Sequence, residues 1–168
     1  YLMEGDSNYK ASEIMRKHAI NLIPVVDKNK RVVNIIIRDN IFPQIAQPNS
    51  IVIMAGGKGS RLSKYTKNCP KPLLPVGGKP MLERIIERAK SQGFERFLIS
   101  INYLGHMIED YFADGKKWKV KIDYIKEDKP LGTAGAIGLM SSSSKLPFIV
   151  SNCDIVSNFN FSELLNFH

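Results

Sequence analysis

Ile51-Val-Ile-Met-Ala-Gly-Gly-Lys-Gly-Ser-Arg-Leu62 is the stretch on which the fold of this 168-residue chain turns. Four apolar residues make a short buried strand, and the glycines at 56, 57 and 59 follow it without a break. Glycine lets the backbone turn sharply and brings N–H groups against an anion with no β-carbon in the way. Arg61 adds a forked cationic donor suited to phosphate oxygens. The lysine-plus-hydroxyl ending of a Walker A loop is missing, and so is the glycine spacing of a dinucleotide fingerprint. By itself the loop reads either as a tight turn or as a triphosphate holder. In the second reading Ala55, Gly56, Gly57, Gly59, Ser60 and Arg61 are the nucleotide-binding residues.

Beyond the loop, elements alternate. Leu82, Ile85, Ile86 and Ala89 recur at helical spacing within 81–90, and an apolar run over 97–101 predicts the next strand. Residues 107–112 predict a helix, 120–125 a strand, 133–140 a helix and 148–150 a strand leading to Asp154. Strand and helix in alternation imply an α/β fold, a mostly parallel Rossmann-like sheet with helices on both faces. Ligands then belong at the carboxyl ends of the strands. Ahead of this lie a short helix over 10–19, two strands flanking the polar turn 27–31, and a second short helix over 39–46. The turn formers at 47–50 predict a linker, so the chain divides into 1–46, 47–50 and 51–168.

The net charge of +8 raises the question of nucleic acid, and its distribution answers it. Residues 1–46 hold 7 basic and 5 acidic side chains, whereas 47–168 hold 17 and 11, so the excess follows the glycine loop. Lys58, Arg61, Lys64, Lys67, Lys71 and Lys79 cluster there with a single aromatic, Tyr65, among them and no repeated interleaving, which suits a small polyanion and not a nucleic-acid strand. No apolar run reaches the length of a membrane span and no secretion signal opens the chain, so a cytoplasmic protein is expected. Cys69 and Cys153 lack metal-ligand partners at useful spacing and are expected to be reduced and structural.

The loop continues as Thr66-Lys-Asn-Cys-Pro-Lys-Pro-Leu-Leu-Pro-Val76-Gly-Gly-Lys-Pro80, which sets Lys71 between two prolines that fix its direction. Further on come Glu127-Asp-Lys-Pro-Leu-Gly-Thr-Ala-Gly-Ala136 and Asn152-Cys-Asp154. From the residues alone Glu127 is a solvated strand-end acid or a base reader, and Asp154 a helix cap or a metal ligand. Together these strings resemble the sugar-1-phosphate nucleotidyltransferase family over 51–157, with greatest likeness to mannose-1-phosphate and glucosamine-1-phosphate guanylyltransferases. The resemblance implies transfer of a nucleotidyl group from an NTP to a sugar 1-phosphate with release of pyrophosphate. It makes Arg61, Lys71 and Asp154 the catalytic residues and Asp154 a ligand of Mg2+. It brings Glu127, Gly132 and Thr133 to the base and sugar. A Glu127 carboxylate accepts two hydrogen bonds where guanine offers two donors, which favours GTP. Family members run on past residue 168, so the resemblance also implies a fragment truncated at both ends that binds nucleotide without turning it over. The rival expectations are a noncatalytic nucleotide sensor and a uridylyl-, thymidylyl- or cytidylyltransferase.

Residues 1–46 resemble the end of a cystathionine-β-synthase-type (CBS) module, a helix before "IPVVD" and a strand running into "RD". Such a module implies either an adenine nucleotide, with Asp39 at its ribose, or a role in forming a homo-oligomer. Ile37 stands where ligand-binding modules place a hydroxyl.

Overall fold

The computed structural model describes residues 1–38, 46–129, 131–132, 134–140, 146–155, 157 and 159–168. It divides into two compact units, Tyr1–Ile45 and Ala46–His168. The expected helix over 39–46 lies outside the described residues except for Ala46.

In the first unit, strand β1 (Leu2–Met3) pairs parallel with β2 (Leu22–Val26), and β2 pairs antiparallel with β3 (Val32–Ile37). Helix α1 (Asn8–His18) precedes β2, with Ser7 as its N-cap accepting from the Lys10 amide. Ala11 and Met15 of α1 meet Leu2, Ile23 and Val25 in a small core. The hairpin turn is held by Asp27, whose Oδ1 accepts from the Asn29 and Arg31 amides at 2.8 Å each.

The second unit is built on four parallel strands, β4 (Gln47–Met54), β7 (Phe94–Ile101), β8 (Lys121–Lys126) and β9 (Ile149–Asn152), in the order β8-β7-β4-β9. A two-residue-per-strand hairpin, β5 (Pro75–Val76) and β6 (Lys79–Pro80), lies between β4 and β7 in sequence. Side chains alternate along β4, and both faces are buried. Ile51 and Ile53 face a core shared with Phe97, Ile99 and Ile101, while Val52 and Met54 face a second with Ile125 and Ala136.

Helix α2 (Ser63–Thr66) is a single turn after the glycine loop. Three longer helices pack on the first core: α3 (Met81–Lys90), α4 (Gly105–Phe112) and α5 (Phe161–Phe167). Helix α3 buries Leu82, Ile85, Ile86 and Ala89, the positions its periodicity marked. Gly105 lets α4 approach β7, because a Cβ there would lie 3.0 Å from Ile101 Cβ. Helix α5 is capped by Asn160, which accepts from the Ser162 and Glu163 amides. The opposite face carries a 3-10 segment, Gly135–Leu139, where a helix over 133–140 was expected. Glycines at 135 and 138 lower α-helical propensity in so short a run.

Residues 47–50, expected as a linker, are instead the first half of β4. Their composition is that of a turn, but tertiary hydrogen bonds extend them: the Gln47 amide donates to Gly93 O at 2.8 Å and Asn49 Nδ2 to Pro147 O at 2.7 Å. Pro48 falls in the register irregularity between Gln47 and Ser50, where no ladder donor is required. In the lysine-rich run 116–121 the four lysines are exposed, whereas Trp118 is buried with Lys117 Nζ 4.7 Å from its ring centroid. Among the described residues no helix is long and apolar enough to cross a membrane.

Candidate nucleotide site at the carboxyl edge of the sheet

Register brings Met54, Ser100 and Ile125 level on three neighbouring strands, and Asn152 of β9 sits beside Met54. The loops that follow these positions meet at one edge. Between them lies a cleft of about 440 Å³, lined by Gly56, Gly57, Gly59, Ser60 and Arg61 of the glycine loop and by Lys71, Glu127, Gly132, Asn152 and Asp154. Ten site residues were expected among those described. Nine line the cleft, and the tenth, Ala55, is core: it is 1% exposed and its amide donates to Ser100 O. Thr133 lies outside the described residues.

The glycine loop is shaped by contacts the sequence does not announce. Gly59 has φ +61°, and a Cβ there would lie 3.0 Å from Thr66 Cγ2 and 3.2 Å from Lys71 Cβ. A glycine is therefore needed both for the left-handed backbone and for the stem of Lys71 to pass. Thr66 is 3% exposed, and its hydroxyl proton is shared between Gly59 O at 3.1 Å and Leu62 O at 3.2 Å. It staples the loop from beneath. Replacing Thr66 with valine keeps the shape and removes the donor, and is expected to cost about 1–2 kcal/mol of stability. Urea unfolding would measure it, and an unchanged midpoint would rule the staple out.

Lys71 opens a 3-10 turn, Lys71–Leu73, behind Pro70 in extended backbone. Its Nζ lies 2.5 Å from Asp154 Oδ2, just past the end of β9. The Lys71 hydrogen bond is the main reason the Asp154 carboxyl sits below the usual carboxylate range, with a smaller contribution from the charge of Arg61. Asp154 is thus not a helix cap, a role taken by Asn160. Cys153 beside it is buried, and burial with the Asp154 charge pushes its thiol up to about 11. At neutral pH it is a thiol and no nucleophile. Both cysteines are free.

Glu127 is 8% exposed at the end of β8. Its Oε1 accepts from the Ser100 hydroxyl and its Oε2 from the Leu131 amide at 3.0 Å. The solvated-acid reading therefore does not hold. Asn102 Nδ2 donates to Glu127 O, and the Tyr103 hydroxyl donates to Lys67 O at 3.0 Å, tying the end of β7 to both neighbouring loops. Thr66, Ser100, Asn102 and Tyr103 were not singled out from sequence. Ser100, a lone polar residue in the run Phe97-Leu-Ile-Ser-Ile101, carried the one available signal.

A parallel sheet whose carboxyl edge carries a glycine loop, a fixed lysine and a strand-end aspartate defines an α/β protein with its candidate ligand site at the strand ends. The family model for "Nucleotidyl transferase" matches residues 50–168, and the chain belongs to that family. It is 36% identical over 120 residues to mannose-1-phosphate guanylyltransferase of Mycobacterium tuberculosis, covering 70% of this chain and 33% of that protein. It is 38% identical over 122 residues to probable mannose-1-phosphate guanylyltransferase 1 of Oryza sativa subsp. japonica, covering 70% and 34%. Among solved structures, HddC from Yersinia pseudotuberculosis complexed with GMP-PN superposes with a TM-score of 0.63 at 33% identity, over 71% of this chain and 53% of that one. The chain thus spans about a third of the length of these curated relatives.

Proposed function

We propose that the cleft binds a nucleoside triphosphate, GTP by preference, as the donor half of a sugar-1-phosphate nucleotidyltransferase. The observation that carries this reading is the Lys71–Asp154 pair set beside a glycine loop and Arg61 around one cleft. In the reaction an oxygen of the sugar 1-phosphate attacks the α-phosphorus, a P–O bond forms, and the bond to the β-phosphate oxygen breaks as pyrophosphate leaves. Gly56, Gly57 and Gly59 present backbone to the pyrophosphate and Arg61 neutralises it, while Lys71 turns from Asp154 to the α-phosphate. Ser60 lines the same cleft.

Asp154 would hold a divalent ion. The donor set suits Mg2+, which takes one or two carboxylates and fills its shell with phosphate oxygens and water. Such an ion neutralises charge on the transferring phosphoryl group. Among the described residues no cluster of three or more His, Cys, Asp or Glu competes for it.

GTP is favoured because the relatives are named guanylyltransferases and because Glu127, lining the cleft, is an acceptor matched to the two donors of guanine. Gly132, with φ +82° and open space where a Cβ would stand, admits a base or sugar closely. For the first unit we read a CBS module that meets a second copy of itself. The exposed side chains of Leu22, Val33, Ile35 and Ile37 on one sheet face support association more than an adenine nucleotide does. A cytoplasmic setting with reduced cysteines suits the whole.

Isothermal titration of GTP, UTP, dTTP, CTP and ATP with Mg2+ onto this chain tests the reading. GTP is expected to bind at least about tenfold more tightly than the others, a difference of about 1.4 kcal/mol. Equal binding of all five would remove the guanylyl preference, and binding without pyrophosphate release from any longer protein carrying this segment would favour a nucleotide sensor.

A further inference from the structure

Ser100 has no exposed surface, yet it stands in the otherwise apolar run Phe97–Ile101 of β7, with Met54 and Ile125 at its flanks. Its hydroxyl donates to Glu127 Oε1. Glu127 is nearly as buried, and among the described residues it has no ion pair. A carboxylate held by two neutral donors in such a place is costly, and an apolar side chain there would serve stability as well or better. Its presence calls for a task at the cleft.

We infer that Ser100 is the positioning residue of the base site, turning the Glu127 carboxylate so that its unused lone pairs face the ligand. The inference rests on the guanine reading given above. A carboxylate offers about four acceptor sites, of which the Ser100 hydroxyl and the Leu131 amide occupy two. The last torsion of a glutamate is soft, so the carboxylate plane is set by its partners and not by the side chain. Ser100 fixes it from below through Oε1, and Leu131 from the loop side through Oε2. Gly56 closes the arrangement, since a Cβ at that position would lie 2.9 Å from Oε1 and push the carboxylate out of line. Recognition of the base is thereby coupled to the phosphate loop.

The test is titration calorimetry of GTP, UTP and inorganic tripolyphosphate onto the wild-type chain, Ser100→Ala and Glu127→Ala. Ser100→Ala is expected to weaken GTP by about tenfold, the scale of one hydrogen bond to a charged group. UTP and tripolyphosphate should stay within about twofold, because neither needs two acceptors in a set plane. Unchanged GTP binding, or equal weakening of all three ligands, overturns the inference. If Glu127→Ala leaves the GTP-to-UTP ratio intact, the guanine reading fails and the role of Ser100 with it. If Glu127→Ala collapses that ratio while Ser100→Ala does not, only the role of Ser100 fails. Should Ser100→Ala not fold, amide shifts of the wild type decide: Leu131 and Ser100 should move on adding GMP and stay still with tripolyphosphate, and the reverse pattern overturns the proposal.

Discussion

Replacing Lys71 with methionine is expected to lower nucleotidyl transfer by about 10²–10³-fold, the scale of removing one preorganised charge partner from a transition state. The assay belongs in a protein of the relatives' length that carries this segment. Methionine keeps the apolar stem that passes Gly59, so the loop should hold its shape. What goes is the cation 2.5 Å from Asp154. Two further readouts separate this from a folding defect. Mn2+ should bind the variant more tightly than the wild type in the absence of nucleotide, because Lys71 no longer neutralises the carboxylate.

The Asp154 carboxyl should also titrate at a higher pH in the variant, since the Lys71 hydrogen bond is the first cause of its lowered value. The sign follows from linkage. A carboxyl held low in the folded state adds stability above its unfolded pKa, and that stability is lost as pH falls through the folded value. The wild-type pair therefore contributes at neutral pH and fades only in acid. Asp154 is 38% exposed, so solvent screens the pair and little of the molecule's stability rests on it. Near-wild-type turnover, or weaker Mn2+ binding, would sink the assignment of Lys71.

Phe97→Ala is expected to have the largest effect on folding. Phe97 is 2% exposed in β7, level with Ile51 on one neighbour and Ile122 on the other. Its ring fills the core that binds α3, α4 and α5 to the sheet. Truncating a buried phenylalanine costs about 3–5 kcal/mol through lost transfer energy and an incompletely closed cavity. Domains of this kind hold about 5–15 kcal/mol in all, so the variant should lose roughly a fifth or more of its stability. Chemical denaturation monitored at Trp118, itself buried in the same core, would read the loss. A cost below about 1 kcal/mol would mean that the core collapses around the gap, as well-tolerated substitutions do. The same change should leave the cleft residues in place while the chain is folded, because those residues lie past the strand ends.

The elements carried by strong local patterns were readable in the chain. Helix α3 announces itself by four apolar residues at helical spacing, and β4 from residue 51 by an unbroken apolar run ahead of glycines. The residues that line the cleft were readable for a different reason: glycines, prolines and lone charges placed after strands are expensive in a sheet and cheap at its carboxyl edge. The failures have physical causes too. Residues 47–50 look like a linker because Pro48, Asn49 and Ser50 disfavour strands, yet hydrogen bonds to Gly93 and Pro147 override that local preference. The hairpin β5–β6 was missed because two residues per strand leave no periodicity to detect. It is held by Arg84 of α3, whose guanidinium donates to Val76 O and Gly77 O.

Sequence alone determined that an α/β unit makes up most of the chain, and it marked a glycine loop, a proline-flanked lysine, an acid at 127 and an aspartate at 154 as candidates for its site. The elements, the glycine loop and Lys71 stand out through hydrophobic periodicity, backbone freedom and fixed φ, all of which are local, whereas the acids at 127 and 154 were marked by resemblance. Only the tertiary structure decided that Lys71 meets Asp154 and that Glu127 is held by Ser100 and Leu131, contacts between residues far apart in the chain. Strand register sets those meetings, because parallel pairing brings Met54, Ser100, Ile125 and Asn152 to one edge. Local pattern carries no record of that register.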